Sequence, residues 1–375
     1  MKILLMGVQK LKFMPYMNFY LSQLDLIHND VHLLYWNRDM KEEKRPDFNI
    51  TYHEFKCYQE DEVPKVKKIK SFMKYRKAAK QLILEENFDL IIVLNTVSGF
   101  LLQDFLWKNY SKKYIFDYRD PTLENIHFYK FLIGIIAKKS LVTFVSSDGF
   151  RKFLPKIENI FTSHNILLDS LHYRDVRLAV SREVSPIRVR YWGMIRDESI
   201  NRTIIDRLAN DKRFELHYHG RMQKTGKNLE EYCQSNGIRN VFFHGVYSPE
   251  ERYEFAKETD ILHNIYEKHK LLSRAMGNKF YDGIVHYIPQ ICNEDSYMGE
   301  KVESEKVGAE LDPNDLSFAD KLYHYYLNIN WKEFNERCDS LLSHVLQEYQ
   351  SGNKIINDII HKNEVSQIKE RRQHG

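Results

Sequence analysis

The feature that most constrains this chain is a repeated alternation between short, almost wholly apolar runs and longer segments with helical periodicity. The alternation begins at Met1, breaks between residues 168 and 186, where charge is scattered and periodicity is lost, and then restarts. Short apolar runs separated by helices are typical of parallel strands that are covered on both faces. The sequence therefore predicts an α/β protein with two doubly wound parallel sheets joined by a linker.

The predicted strands follow this alternation in both halves of the chain. In the first half they are residues 2–7, 31–36, 88–94, 113–118, 141–146 and 160–163. In the second half they are residues 187–192, 214–218, 241–245, 261–265, 290–292 and 307–311. The clearest helix start is Ser248-Pro249-Glu250-Glu251, which has the pattern of a capping box with proline at the first helical position.

The length of the chain also favours two domains, because 375 residues exceed the size at which one hydrophobic core usually stops growing. We expect an N-terminal domain at residues 1–168, a C-terminal domain at 187–330 and a helical segment at 331–375 that packs back toward the N-terminal domain. No apolar run approaches the length of a membrane span. Because Met1-Lys2 leads directly into a strand without a cleavage site, we expect a cytoplasmic protein.

The formal net charge of +4 is too small to indicate a nucleic-acid partner. Positive charge is nevertheless concentrated from Lys65 to Lys80, a stretch without any acidic residue whose apolar residues recur at roughly helical spacing. A basic amphipathic helix of this kind can lie on an anionic bilayer, which would make the protein peripheral at the inner face of the cell membrane. The alternative is an ordinary solvated helix face.

No motif for metal or cofactor chemistry is present. The four cysteines form no CxxC pair, and the sixteen histidines show no HExxH spacing. His217 and His219 alternate on a predicted strand, where we expect one ring to be buried and the other exposed. The chain also has no GxGxxG, Walker-type or GxSxG motif, which argues against a dehydrogenase, an NTPase and an α/β-hydrolase. We therefore expect no metal and no cofactor.

Several segments resemble the GT-B glycosyltransferases, in particular the family 4-like enzymes that build bacterial capsule and surface polysaccharide. The matching segments are residues 190–193 (RYWG), 243–248 (FHGVYS), 258–262 (ETDIL), 278–284 (NKFYDGI) and 288–291 (IPQI), with 1–7, 116–120 (FDYRD) and 164–166 in the first half. The resemblance implies two Rossmann-like domains facing a central cleft. It also implies transfer of a sugar from a nucleotide-diphosphate sugar, UDP-linked in preference to GDP-linked, to a hydroxyl of a lipid-linked or oligosaccharide acceptor.

The resemblance assigns donor-binding roles to residues of the second half. Asp282 would accept hydrogen bonds from the ribose hydroxyls, and Asn278 and Lys279 would hold the diphosphate leaving group at a helix start. The other implied contacts are a close backbone approach at Gly193, cations at Arg196 and Arg202, and the nucleotide base near Gly245 and Tyr247. The alternatives are a surface aspartate, an ordinary turn glycine and a core tyrosine.

The chain departs from the family pattern at two positions. Met194 stands where members often have a basic residue directly after the glycine, so that Arg196, Arg202 or Lys279 would have to supply the charge. Arg274 stands where many members have the first of two glutamates, and it could meet a diphosphate or an acidic sugar instead. No Asp-x-Asp pair occurs, which agrees with a metal-independent enzyme in which Lys and Arg replace the cation.

In the first half, Asp117 and Asp120 follow a predicted strand and bracket Arg119. Either carboxylate could orient the acceptor hydroxyl or take its proton as a general base. The competing interpretation is a structural ion pair with Arg119. Gly7, Gln9 and Tyr16 belong to the loop that would face the same acceptor.

Two other functions remain open. A nucleotide-sugar epimerase can share the GT-B architecture, and it would convert a nucleotide sugar without any acceptor. A glycan- or lipid-binding accessory subunit without catalytic activity is conceivable because Arg274 replaces the first glutamate.

Overall fold

The computed structural model of the protein describes residues 1–59, 65–175 and 186–374. The chain divides into two compact units. The N-terminal unit comprises Met1–His164 together with the end of the chain from Gln347, and the C-terminal unit comprises Asn165–Leu346. Most of the linker predicted at residues 168–186 lies outside the described residues.

The N-terminal unit is a single parallel sheet with helices between its strands. Its elements are β1 (Lys2–Gly7), α1 (Met17–Leu21), β2 (Asp30–Asn37), β3 (Thr51–Lys56), α2 (Lys65–Glu86), β4 (Leu90–Leu94), α3 (Thr96–Asn109), β5 (Tyr114–Tyr118), α4 (His127–Lys139), β6 (Val142–Val145) and β7 (Ile160–Thr162). The strand order is β3-β2-β1-β4-β5-β6-β7, and all pairings are parallel. The strand order therefore reverses between β1 and β4, as in a doubly wound fold.

The C-terminal unit repeats this architecture. Its elements are β8 (Ile187–Trp192), α5 (Glu198–Leu208), β9 (Phe214–His219), α6 (Gln223–Ser235), β10 (Val241–Gly245), α7 (Pro249–Lys257), β11 (Ile261–Asn264), α8 (Asn278–Val285), β12 (Gln290–Cys292), α9 (Tyr297–Ser304), β13 (Gly308–Glu310), α10 (Phe318–Leu327) and the first part of α11 (Trp331–His374). The strand order is β10-β9-β8-β11-β12-β13, again entirely parallel. Its reversal lies between β8 and β11.

The end of α11 completes the core of the N-terminal unit. Ile356 and Ile360 are buried in the same cluster as Phe19 and Phe144. The ring of Tyr349 packs edge-to-face on Phe19, with 5.0 Å between centroids. The apolar positions of the last helix therefore belong to the fold of the first residues of the chain.

The predicted strands and helices recur in the structure with small shifts at their ends, and the capping box of α7 is confirmed by both of its hydrogen bonds. The prediction missed β3, α9 and α10. β3 has no apolar run, because it is an edge strand whose side chains are at most half-buried. α9 is an eight-residue helix whose sequence, YMGEKVES, carries only three buried residues.

None of the helices in the described part of the chain combines the length and apolarity that a bilayer-spanning segment requires. The four cysteines are free thiols.

Candidate functional site

In a doubly wound sheet, ligands bind beyond the carboxyl ends of the strands, next to the point where strand order reverses. In the C-terminal unit this region contains the residues that follow β8 and the beginning of α8. In the N-terminal unit it contains the residues that follow β1, β4 and β5. The sequence-predicted site residues are found mainly in these regions.

Three glycines with positive φ follow one another across the carboxyl ends of β8, β9 and β10. Gly193, Gly220 and Gly245 have φ of 118°, 144° and 77°. The Gly193 amide donates to the His219 carbonyl at 3.0 Å, and the Gly220 amide donates to the Gly245 carbonyl at 2.6 Å. A Cβ on Gly220 would lie 1.6 Å from the Gly193 carbonyl oxygen, so only glycine fits at this position. We call these three residues the glycine edge of the sheet.

Lys279 lies in the first turn of α8 and is buried, at 7% exposure. Its Nζ lies 3.5 Å from the centroid of Tyr191 and 4.8 Å from that of Tyr266. Burial lowers the pKa of Lys279 well below its ordinary value, and the nearby Arg196 charge lowers it further. A buried amino group beside two aromatic rings is suited to bind an anion, because a nearby negative charge would favour its protonated form.

The loop after β8 is held in place by a buried hydrogen-bond network. Asn201 donates to the carbonyls of Arg196 and Asp197 at 2.7 and 3.0 Å. Its side-chain oxygen accepts from Tyr218 at 3.0 Å and lies 3.2 Å from Nε2 of His263. Because Nδ1 of His263 accepts from a backbone amide, Nε2 carries the proton, and burial keeps this histidine neutral with a pKa lowered to about 3.

The loop after β8 also places Arg196 on the solvent side of Lys279 and the two tyrosine rings that contact it. The side chain of Arg196 is largely exposed and lies 3.8 Å from the Asp197 carboxylate. Its guanidinium carbon lies 5.5 Å from the Tyr266 centroid, on the ring that also contacts Lys279. Asp197 adopts the left-handed conformation, with φ 61°, which turns the chain into α5. The structure thus brings Lys279 and Arg196 together.

Asp282 lies one turn after Lys279 and is buried, at 6% exposure. Its Oδ2 accepts from the indole Nε1 of Trp192 at 2.8 Å. Its Oδ1 lies 4.0 Å from a guanidinium nitrogen of Arg252 on α7. Asp282 is therefore not the exposed surface residue of the alternative interpretation, and its carboxylate is oriented by two groups that come from β8 and α7.

Helix α8 is fixed against β12 at close range. Gln290 donates to the carbonyl of Phe280 at 3.0 Å and accepts from Asn264 at 2.7 Å. A Cβ on Gly283 would lie 2.1 Å from the Gln290 side chain, so only glycine allows this approach. Lys279 and Asp282 consequently project from a rigid element.

An aromatic cluster borders Asp282. Trp192, Phe255 and the half-buried Tyr247 pack together, with 5.2 Å between the Tyr247 and Phe255 centroids. Burial raises the pKa of Tyr247, and the charges of Arg252 and Asp282 act on it as well. The structure therefore places Tyr247 near the Asp282 carboxylate, whereas Gly245 ends β10 two residues earlier.

Of three other predicted donor residues, two have partners elsewhere and one is exposed at the start of α8. Arg202 lies over the Tyr232 ring on α6, 4.4 Å from its centroid, and pairs with Glu198 at 3.3 Å. Arg274 pairs with Glu300 on α9 at 3.0 Å. Asn278, the first residue of α8, is exposed. The structure does not join Arg202 or Arg274 to Lys279, because acidic or aromatic neighbours hold each guanidinium.

The imidazoles of β9 and β10 correct one expectation. His217 and His219 are both buried, because residues two apart on a strand face the same side of the sheet. His244 of β10 stacks on each, with 5.3 and 4.1 Å between centroids. Burial lowers the pKa of His217 and of His219 to about 3, and the neighbouring Arg190 charge contributes to both shifts.

In the N-terminal unit, Asp117 is completely buried on β5 and forms an ion pair with Arg119, with 3.1 Å between Oδ2 and Nε. Arg119 also donates to Ser163 at 3.0 Å. Burial raises the pKa of Asp117, and the Arg119 charge opposes that rise. The geometry favours the structural ion pair for Asp117, whereas Asp120 is exposed at the end of the same segment.

The loop after β1 meets this ion pair through Tyr16. The Tyr16 ring lies 4.2 Å from the guanidinium carbon of Arg119, and its hydroxyl donates to Gln9 at 3.2 Å. Gly7 allows close packing on Met14, whose sulfur would lie 2.3 Å from a Cβ at that position. The structure thus brings Tyr16 to Arg119 and Gln9 to Tyr16, while Gly7 packs inside the loop.

Asn95 is a residue of this region that the sequence analysis missed. It follows β4 with φ 86° and ψ 156°, a conformation that is nearly restricted to glycine and costs about 1–3 kcal/mol elsewhere. Its side chain caps α3 by accepting from the amide and hydroxyl of Ser98 at 3.0 and 2.9 Å. The positive φ had no signature in the sequence, although asparagine before a helix is a common cap. Trp192 and Arg252, which hold Asp282, were also missed.

Within residues 1–59, 65–175 and 186–374, no group of three or more His, Cys, Asp or Glu side chains is arranged to hold a metal ion.

No protein-family model and no curated protein sequence matches the chain. Solved structures do match it over nearly its whole length. Sucrose-phosphate synthase from Thermosynechococcus elongatus has a TM-score of 0.68 at 12% identity, covering 99% of this chain and 98% of its own. Anabaena HepE in complex with UDP has a TM-score of 0.65 at 13% identity, covering 98% and 100%.

A third structure, WaaG, a glycosyltransferase involved in lipopolysaccharide biosynthesis, has a TM-score of 0.64 at 12% identity, covering 94% of this chain and 99% of its own. Identities this low establish architecture and not activity. Together with the two parallel, doubly wound sheets, these matches show that the chain has the GT-B fold.

Proposed function

We propose that the protein is a glycosyltransferase that moves a sugar from a nucleotide-diphosphate sugar to a hydroxyl acceptor. The observation that carries this proposal is the placement of buried Lys279 and Asp282 on successive turns of α8, beside the glycine edge of β8 to β10. A cation for a diphosphate and a carboxylate for a ribose are thereby held close together. Structural neighbours such as HepE in complex with UDP support a nucleotide ligand.

In the proposed reaction, an acceptor oxygen attacks the anomeric carbon while the bond from that carbon to the diphosphate breaks. Negative charge develops on the leaving diphosphate, and we assign its stabilisation to Lys279, Arg196 and the backbone amides at the start of α8. Gly193 and Gly245 leave the backbone open for close approach, and Tyr247 would contact the base. We propose that the enzyme needs no metal, with these cations neutralising the diphosphate.

On the acceptor side, we assign proton removal to Asp120 and positioning to Asp117. The exposure of Asp120 allows a proton to leave with solvent, whereas Asp117 is committed to Arg119. Tyr16, which packs on the same guanidinium, and Gln9, which accepts from the Tyr16 hydroxyl, would contact the acceptor.

The finer assignments also belong to the proposal: a UDP-linked donor in preference to a GDP-linked one, a lipid-linked or oligosaccharide acceptor, and a role in capsule or surface polysaccharide synthesis of the family 4-like kind. The basic helix α2 supports a cytoplasmic enzyme that is peripheral at the inner face of the membrane. Its sequence from Lys65 to Lys80 has no acid, which suits a surface where a lipid-linked acceptor would be found.

The test is a panel of UDP- and GDP-sugars screened for thermal stabilisation, followed by slow hydrolysis of each compound that binds. A ligand at about 100 times its Kd stabilises the folded state by about 2.7 kcal/mol, so a specific donor should stand out. Hydrolysis that is unchanged by EDTA would support metal independence. Conversion of a UDP-sugar to its epimer without acceptor would indicate the epimerase instead, and binding without any turnover would indicate an accessory subunit.

A further inference from the structure

The exposed apolar side chains of the N-terminal unit are unevenly distributed. Among the described residues of this unit, eleven large apolar side chains are exposed, and all but Ile27, Leu84 and Phe161 follow the carboxyl end of a strand, in a loop or in the first half of a helix. Scattered exposure needs no explanation, but concentration at one end of a sheet does.

The most exposed of these residues lie at the start of α4. Phe128 and Phe131 are 70% and 62% exposed, and Ile126 immediately before the helix is about half exposed. Phe128 and Phe131 are three residues apart, so they lie on the same side of the helix. Their neighbour Tyr129 faces inward and packs on Phe100 of α3, with 4.6 Å between centroids.

The first half of α2 adds apolar and basic residues. Ile69 and Met73, four residues apart, are exposed beside the exposed Lys70, Lys74 and Lys77. Not every cation of the helix is available in this way. Arg76 and Lys80 are engaged with Asp104 of α3, at 2.8 and 3.3 Å.

The two helices belong to one layer at one end of the unit. Helix α3 packs against α2 through the Arg76–Asp104 pair and against α4 through Phe100 and Tyr129. Because α2 follows β3 and α4 follows β5 in a parallel sheet, both helices start at the carboxyl end of the strands. The exposed residues named above therefore share an end with the acceptor-side loop that contains Tyr16.

The charge of the layer formed by α2, α3 and α4 indicates what kind of surface it would bind. Helices α2, α3 and α4 together contain twelve Lys or Arg and three Asp or Glu. Of those acids, Asp104 is paired and Glu86 bonds to Lys2 at the far end of α2. Exposed apolar side chains on α2 and α4, together with the exposed lysines of α2, match a surface that offers hydrocarbon and negative charge together.

We propose that the starts of α2 and α4 form a docking face for an anionic lipid bilayer. Phe128 and Phe131 would enter the region between headgroups and acyl chains, and Lys70 and Lys74 would pair with lipid phosphates. This extends the proposed membrane contact from one basic helix to a two-helix face with a defined aromatic anchor. Docking at this end would bring the acceptor-side loop to the membrane surface.

The test is co-sedimentation of the full chain with phosphatidylcholine vesicles, with and without phosphatidylglycerol. We expect the wild type to bind only the vesicles that contain phosphatidylglycerol. The double variants Phe128→Ser/Phe131→Ser and Lys70→Glu/Lys74→Glu should each lower the partition constant by about tenfold. Added salt should weaken the binding that remains in the phenylalanine variant more than the binding that remains in the lysine variant.

Matched controls lie on the same helices at the opposite end. Leu84→Ser on α2 removes a side chain that is 68% exposed, and Lys138→Glu/Lys139→Glu on α4 reverses two exposed cations. Both should leave vesicle binding unchanged. Equal losses in the controls, or no binding by the wild type, would overturn the docking face. So would self-association of the wild type without lipid that Phe128→Ser/Phe131→Ser abolishes.

Thermal stabilisation by UDP separates this inference from the proposed function. All four variants should keep the wild-type response to UDP, because none of the altered residues belongs to the donor site. Loss of vesicle binding with a normal UDP response therefore supports the docking face alone, and vesicle binding by a chain that ignores UDP would leave the docking face standing while removing the proposed function.

Discussion

The indole of Trp192 donates a hydrogen bond to Asp282 at 2.8 Å, joining the end of β8 to the middle of α8. The bond fixes one carboxylate oxygen and leaves the other toward Arg252, 4.0 Å away. A carboxylate with one oxygen committed to the protein can still accept from a ligand hydroxyl without a large reorganisation. The Asp282 carboxylate, held by Trp192, is thus a preorganised hydrogen-bond acceptor at the carboxyl edge of the sheet.

Replacing the Asp282 carboxylate should weaken nucleotide binding. We expect Asp282→Asn to lower the affinity for UDP by about 10- to 100-fold, since a hydrogen bond to a charged group contributes about 1.5–3 kcal/mol. Isothermal titration calorimetry measures the effect. Asp295→Asn, which alters an exposed carboxylate before α9, should bind UDP like the wild type. Equal affinities for all three proteins would remove Asp282 from the site.

UDP binding should draw a proton onto Lys279. Burial holds the pKa of this lysine well below its ordinary value, and the diphosphate would raise it by favouring the charged form. At pH values above the pKa of the free protein, binding therefore takes up a proton, and the affinity falls as pH rises. Calorimetry at mildly alkaline pH in buffers of different ionisation enthalpy counts the protons.

The matched comparison for this prediction is between two lysines. Lys279→Met should abolish the proton uptake and weaken UDP binding by about 10- to 100-fold. Lys257→Met, on the exposed side of α7, should do neither. Proton uptake that persists in Lys279→Met would assign it to another group.

The Asp117–Arg119 pair should contribute to stability, because removing one partner leaves the other charge buried. We expect Asp117→Asn to lower the free energy of unfolding by about 3 kcal/mol. Asp117→Asn/Arg119→Met should recover much of this loss in urea denaturation. Asp120→Asn should change stability by less than about 0.5 kcal/mol while reducing sugar transfer. A stable Asp117→Asn protein without transfer activity would reverse the two assignments.

Two substitutions at Asn95 separate the effect of backbone strain on stability from the effect of helix capping. Asn95→Ala should destabilise the protein by about 1–2 kcal/mol, because it removes the cap of α3 and keeps the positive φ. Asn95→Gly also loses the side chain but relieves the strain, so its free energy of unfolding should stay closer to that of the wild type. Urea denaturation that ranks alanine above glycine would show that φ is not positive in solution.

Acid should destabilise the C-terminal unit through its buried histidines. The folded-state pKa of His217, His219 and His263 is about 3, below the value of about 6.5 for the unfolded chain. The unfolded state therefore binds more protons between these values, and stability is lost as pH falls through that window. Each histidine contributes at most about 1.4 kcal/mol per pH unit.

A single substitution checks the origin of this loss. His217→Phe preserves a ring in the stack but cannot be protonated, so the slope of stability against pH below about 6.5 should decrease by about one proton. Urea denaturation at several pH values measures this slope, and an unchanged slope in His217→Phe would assign the loss to other groups.

Much of the fold could be predicted because several buried strands contain a nearly unbroken apolar run, such as Leu90–Leu94. β3 could not be predicted in this way, since an edge strand needs no apolar face. In the candidate site, Lys279 and Asp282 were identified from a resemblance in α8, and the structure places them together. Arg202 lies over Tyr232 of the next helix, a contact that position in the sequence does not reveal.

The residues that organise the site had weaker signals. Trp192 ends β8 and has the character of a core residue, so its hydrogen bond to Asp282 is visible only once β8 and α8 are adjacent. Asn95 has the composition of a common helix cap, and its φ is a property of the tertiary structure. The two histidines of β9 could have been predicted together, since their spacing of two places both on one face.

The contribution of α11 to the first unit has a consequence for how the chain is made. Ile356 and Ile360 pack in the cluster that includes Phe19, which lies nearly the whole sequence away. While the ribosome is still translating the second half, the N-terminal sheet lacks these residues and leaves part of its apolar interior open to water. A fragment that stops at His164 should for the same reason be prone to aggregate, and an expressible N-terminal unit would have to carry the last helix with it, through a short connection that replaces the intervening residues.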